Sequence, residues 1–462
     1  MRARTGARLL LMLTLVSACR ADVAPEPDDT GPTVTTPPLG DPDAGWDALR
    51  YGDFVGSGVP ADVWFDLVGE SPSNLLERDG RSAGLPSSFN LFEAPSGAEV
   101  VGGITCFGCH AGWIDGTFVP GLGNPRADFV GADDASMFEL LGTIVEARYG
   151  DDSPEALAYD QFSRGFSAVS AASTGPFVGA NPAFSLERAA AAHRDPATLA
   201  WEDAPRYDVP AEPLWCDTPP LWNADRKQHL YWTGFGTGRI DRMLMQISVV
   251  AVADADQAEE ILQQFPDIRA WMAALQPPPF PEPVDPALAD AGAQVFATAC
   301  ASCHGTYGEG GTYPERFVPL DEIGTDPVYA LGFVDSDFVD WAASSWYGEG
   351  APPPGDVAGY VAPPLDGIWA TAPYLHNGSV PDLASLLDPS QRPDRWRRDP
   401  DDSTLDHVRL GWPYTVPEPG SATDDAYVYD TSVSGAGNGG HGYGAALTED
   451  ERAQVLAYLA TL

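Results

Sequence analysis

Positive charge is the scarcest feature of this 462-residue chain: 25 Lys+Arg stand against 67 Asp+Glu, and Lys227 is the sole lysine. The formal charge of −42 repels nucleic acid and anionic headgroups, so neither is expected as a partner of the folded body. Solubility is the simplest use of such a surface, and a cationic protein partner would also suit it. Long apolar runs are scarce as well. The run "LLLMLTLV" at 9–16 is too short to span a bilayer, and nothing later reads as a transmembrane helix. Methionine occurs only at 1, 12, 137, 243, 245 and 272, so none lies beyond Cys300. Disorder is excluded in its turn by 44% hydrophobic residues and 13 tryptophans.

What is present begins with an address. Arg2, Arg4 and Arg8 precede the short apolar run, as in an export signal. Val16-Ser17-Ala18-Cys19 then resembles a bacterial lipobox, which places cleavage after residue 18 and a lipid on Cys19. An ordinary cleaved signal would instead leave a soluble periplasmic protein. Residues 19–44, rich in Pro, Thr and Asp and without apolar period, read as a lipid-anchored tether. The expected location is the bacterial periplasm or cell envelope, with membrane attachment only through that lipid.

Six cysteines remain to be placed, and four form two copies of one pattern. "TCFGCHAG" (105–112) holds Cys106, Cys109 and His110; "ACASCHGT" (299–306) holds Cys300, Cys303 and His304. Zinc ribbons pair their CxxC motifs over about 15–20 residues, far less than the separation here. A redox dithiol would open a helix in a βαβ setting, which neither copy does. In an exported chain, CxxCH fits attachment of haem c: the two thiols bond the porphyrin and the histidine ligates iron. Two copies imply two covalently bound haems. Cys216 is left as a buried free thiol.

The fold class expected is mainly α, with two cytochrome c-like haem domains and long Gly/Pro-rich loops. Helices are expected over 135–148 and 256–275, the latter restarted at Pro266. The second motif has a fuller frame. A helix opened by Pro286, with Gly292 and Phe296 on one face, leads into it. A closing helix carries a Thr448–Glu451 capping box and a stripe of Val455, Leu456, Leu459 and Leu462. The proline run at 277–286 cannot be helical. It marks a seam between an N-terminal haem domain (45–276) and a C-terminal cytochrome c domain (287–462).

The run from Ile268 to Pro327 resembles the di-haem cytochrome c peroxidase-like superfamily, and most of all its rubber oxygenase branch. "PPLDGIWATAPYLHNGSVPDLASLL" (363–387) and "YDTSVSGAGNGGHGYG" (429–444) resemble the same branch, and 218–236 does so more loosely. The likeness covers most of 210–462; before that only the haem motif matches well. It implies a second haem with a distal histidine in the glycine-rich motif, at His441, and a pocket-shaping role for His376. The residues point to His441 as well. The second domain has no methionine to offer, and of His376, His407 and His441 only the last sits among glycines that let backbone approach a flat ring. His304 and His441 are therefore the expected ligand pair.

For the first haem the informative stretch is 218–236, where Trp222, Arg226, Lys227, His229, Trp232 and Phe235 gather cations and aromatics. It is expected to cover that haem. Arg226 and Lys227 would balance propionates, and Trp222 and Phe235 would dry the face or carry an electron. His229 would act as a distal base or as a blocking sixth ligand. The function expected is electron transfer from the bis-histidine haem to a peroxidase-type haem, with an electron-donor protein and a small oxidant, peroxide or dioxygen, as partners. A pure electron carrier, or a dioxygenase acting on an apolar substrate, are the alternatives.

Overall fold

The computed structural model describes residues 36–462 except 104, 132–134, 211–213, 237–238, 335, 349–356 and 419–424; the signal, Cys19 and most of the tether lie outside the described residues. Order begins earlier than residue 45. Asp41 accepts from the amides of Asp43 and Ala44 and caps a helix over Pro42–Tyr51, with proline at its first turn. The expected helices form at Ser136–Tyr149 and, split where Pro266 restarts the chain, at Ala255–Leu262 and Phe265–Ala274.

Helices dominate, and the strands are few and short. A three-stranded antiparallel sheet (Val59–Pro60, Glu99–Gly103, Phe89–Glu93) leads directly into the first motif, and a hairpin of Ala111–Ile114 with Thr117–Pro120 follows it. The first CxxCH is thus mounted on strands. The second is mounted on helices: Pro286–Ala299 runs into it and packs against the closing helix, Glu449–Leu459. Both halves of the Thr448–Glu451 capping box are formed.

The two helices touch backbone to backbone at Gly292. A Cβ there would lie 1.9 Å from the Gln454 carbonyl oxygen, so no side chain fits without moving a helix. Gly292→Ala is expected to cost roughly 1–3 kcal/mol, read as a lower midpoint in denaturant unfolding.

The proline run is not a boundary between two separable bodies. Val34–Leu462 forms one compact unit. Tyr329, Phe333, Phe338 and Trp341, from beyond the run, are buried in the same apolar cluster as Phe107, Phe184 and Phe265. Phe280, within the run, packs edge-on against Trp369.

Two candidate haem sites

Around each CxxCH the chain makes one turn of helix, Cys106–Cys109 and Ala301–His304, which brings the thiols and the histidine to one side. Both cysteine pairs are free thiols. Burial pushes Cys106 up to about 12, and Cys109 and Cys300 up to about 11, so they stay protonated at neutral pH. Among the described residues no group of three or more His, Cys, Asp or Glu is placed to hold a metal ion.

Each motif histidine is oriented by a proline carbonyl. His110 Nδ1 lies 3.0 Å from the Pro219 oxygen, and His304 Nδ1 lies 2.8 Å from the Pro363 oxygen. A carbonyl only accepts, so each Nδ1 carries the proton and each Nε2 keeps its lone pair for a metal. Burial holds His110 down to about 4 and lowers His304 as well; both rings are neutral at pH 7.

Pro219 and Pro363 open two copies of one loop. Residues 219–236 and 363–380 both begin Pro-Pro-Leu, and both close a short bridge, Leu230 with Gly236 and Tyr374 with Val380. Both place residues in the left-handed region at matching points: Tyr231 (φ 65°) with Leu375 (67°), and Gly234 (69°) with Gly378 (68°). The copies also exchange backbone bonds. The Asp217 amide donates to His376 oxygen and the Val361 amide to Trp232 oxygen, each at 2.8 Å. The signal was in the sequence as a repeated Pro-Pro-Leu, but only the shared geometry gives it meaning.

A cavity of about 270 Å³ adjoins the second motif, lined by Cys300, Cys303, His304 and, opposite, His441. The two ring centres are 6.1 Å apart. A first-row metal bound at ~2 Å by the nitrogens of two imidazoles puts their ring centres roughly 6 Å apart, so the gap suits one such ion, iron included. The glycine loop makes this placement. His441 itself adopts φ 45°, ψ 49°, a region where His is tolerated among non-glycine residues. Gly440 lies so near Gly324 that a Cβ would fall 2.2 Å from its carbonyl carbon. Arg392 then clamps the loop by donating to the carbonyls of Asn438, Gly440 and His441. His441 Nδ1 is buried without a partner, and burial and neighbouring His304 hold the ring down to about 3. The donor set fits a haem.

The segment 218–236 reaches both sites: Pro219 and Tyr231 lie at the first, and other members of it lie at the second. Pro219 fastens His110, but Asn223, Lys227 and Trp232 line the second cavity. Trp222 is buried and donates to the Asp366 oxygen at 2.8 Å, and Arg226 pairs with the Asp366 carboxylate. His229 lies 3.2 Å from Glu315 and its side chain is 45% exposed, so its ring is committed to a carboxylate of the second half. Phe235 packs on Phe333 and Phe338. The exchanged backbone bonds explain this reach: the segment is a strap between the sites. Lys227, held down to about 8 by burial, lines the second cavity and is also close enough to His110 to act on it. His376 also lines that cavity, stacks on Tyr360 at 4.0 Å between ring centres, and leaves Nε2 buried without a partner.

Sequence reasoning missed a polar cluster beside the first motif. Glu187, from the almost wholly buried helix Ala183–Ala192, meets the Tyr231 hydroxyl at 3.4 Å, and Tyr231 donates in turn to Gln246. Burial pushes the Glu187 carboxyl up to about 8. Cys109, Cys216, Tyr329 and Tyr347 stand close enough to feel its charge. One glutamate in "FSLERAAAAH" gave no signal of this.

Two family models match the chain, both in its second half: "Cytochrome c" over residues 289–338, and "RoxA-like, cytochrome c-like" over 359–397. The first spans Cys300, Cys303 and His304, and the second spans Pro363 and His376. The chain carries a c-type cytochrome domain. It is related to the RoxA-like branch, and a cytochrome c domain implies covalently bound haem c and electron transfer. Two proteins of Sinorhizobium fredii are similar to it. The uncharacterized protein y4iJ is 29% identical over 276 residues, covering 45% of each chain. The uncharacterized protein y4iM is 28% identical over 270 residues, covering 52% of this chain and 60% of its own. The chain spans about half the length of these curated relatives.

Proposed function

We propose that the protein is an exported, lipid-anchored di-haem cytochrome of the peroxidase-like superfamily. One centre, between His304 and His441, stores and passes electrons; the other, at His110, reduces peroxide or activates dioxygen. An electron-donor protein, drawn to the acidic surface, supplies the reducing equivalents.

The inequality of the two sites carries this reading. The seven histidines are all accounted for among the described residues. His304 faces His441, His193 stacks on Trp201, His229 meets Glu315, His376 stacks on Tyr360 and His407 meets Asp115. None pairs with His110 as His441 pairs with His304. In place of a second imidazole, the first site has the Glu187 cluster. A haem at the first site would supply electrons and an iron position where an oxidant binds. Glu187 would hold a proton below pH 8 and pass it through Tyr231, while the surrounding tyrosines exclude bulk water. A purely electron-carrying protein has no use for a buried acid there.

Glu187→Gln tests this. Peroxide consumption by the parent is expected to fall as pH rises through about 8, because the acid form is lost. In the glutamine variant the rate should drop at least tenfold and that limb should vanish. Stability carries a mark of the same sign. A carboxyl whose pKa is raised in the folded state weakens the fold as pH rises above its ordinary value, so the variant should lose less stability between pH 5 and 9. Unchanged turnover and an unchanged pH profile would sink the proton role.

A further inference from the structure

Beside the first motif two arginines, Arg398 buried and Arg126 partly so, keep guanidinium nitrogens that have no hydrogen-bond partner. Both guanidiniums lie over the Trp412 ring, each 5.3 Å from its centre. Arg398 is 4% exposed and gives one nitrogen to the Pro125 carbonyl. Its Nη1 is buried without a partner, as are Nε and Nη2 of partly buried Arg126. The acids at 399, 401 and 402 reach Arg126 only through longer-range attraction, and Asp217 reaches Arg398 in the same way. Arg398 donates to the Pro125 carbonyl rather than to Asp217. Free donors on two neighbouring arginines suit an anion.

The loop that carries Arg126 is tied to the CxxCH backbone. The Asn124 amide donates to the Cys109 oxygen at 2.8 Å, and Asn124 Oδ1 accepts from the Arg126 amide at 3.0 Å. The second half has a counterpart. Arg316 follows its own CxxCH and lines the second cavity. Tyr313, just before it, donates to the oxygen of Ala362, which precedes Pro363. Gly123, just before Arg126, comes against the oxygen of Thr218, which precedes Pro219. Each CxxCH is thus followed by an arginine, Arg126 or Arg316, near the segment that precedes its Pro-Pro-Leu loop, and Arg398 adds a second donor beside Arg126.

We propose that Arg126 and Arg398 form a carboxylate-binding pair that takes the propionate groups of a haem held at Cys106 and Cys109. The proposal rests on the two-haem reading above. Planar guanidiniums stacked on an indole are preorganised for paired bonds to a carboxylate.

The test uses the full-length haem-loaded protein. Haem content is first measured as mass retained by the denatured chain; a parent without porphyrin at the first motif would refute the two-haem reading rather than this pair. Spectroelectrochemistry then follows both centres in Arg398→Gln, Arg126→Gln and Arg398→Lys. Loss of a buried positive charge should favour the ferric state of the first centre at least tenfold, a fall of about 59 mV for a one-electron couple. The second centre should not move, and Arg398→Lys should recover part of the shift. Should Arg398→Gln fail to fold, Arg126→Gln, at the less buried position, carries the same expectation. Unmoved potentials in folded, fully loaded variants would overturn the proposal. A parent potential that follows added phosphate would overturn it too, by assigning the pair to a free anion.

Discussion

Serine at Cys106 and Cys109 is expected to halve the porphyrin that stays with the denatured chain, and serine at Cys300 and Cys303 to do the same. The expectation follows from two one-turn helices, each presenting paired free thiols beside a histidine whose Nδ1 is already bound to a proline carbonyl. Thioether bonds survive acid–acetone extraction, whereas ligated haem does not, so mass spectrometry of the extracted chain reads each site separately. Replacing all four cysteines should leave no porphyrin mass. A structural cost accompanies the loss, because the cavity at the second motif would lose the group that fills its apolar walls, which include Phe296, Val455 and Leu459. If either pair can be removed without loss of porphyrin mass, that motif is not an attachment site.

His441→Ala has the second large effect. His304 and His441 face each other at 6.1 Å, and an iron held between them would feel the strong field of two imidazoles. In the variant that iron would lose one of them. Optical spectra should then show the second centre turning largely high-spin, while covalent haem content stays at the parent value. His376→Ala and His407→Ala are the controls. His376 stacks on Tyr360 and His407 pairs with Asp115, so neither should change the spin state. A low-spin signal that survives in His441→Ala and disappears in His376→Ala would reassign the ligand.

Much of the second site was legible because its signals are local. Pro286, Gly292, the capping box and the CxxCH lie on two helices whose periodicity shows in the chain, and the glycines around His441 announce a close backbone approach. The first site was harder, since its frame is a small sheet of short strands and its polar cluster gathers Glu187, Cys216, Tyr231 and Tyr329 from four distant segments. The strap at 218–236 was only half legible for a similar reason. Cations and aromatics at helix-free spacing say that something is covered, but which site they cover depends on bonds between Asp217 and His376 and between Trp232 and Val361. Burial of Arg126 and Arg398 against one indole likewise required the fold, because Trp412 follows Arg126 by most of the length of the chain.

The account stands or falls on two unlike iron centres in one chain. Low-temperature EPR of the oxidised parent, before and after cyanide, addresses that most directly. One low-spin signal unmoved by cyanide, assigned to the centre at His304 and His441, together with one high-spin signal that cyanide converts to low-spin, assigned to the centre at His110, is the result expected. Two low-spin signals, both indifferent to cyanide, would mean that no oxidant reaches iron, and the protein would be an electron carrier alone.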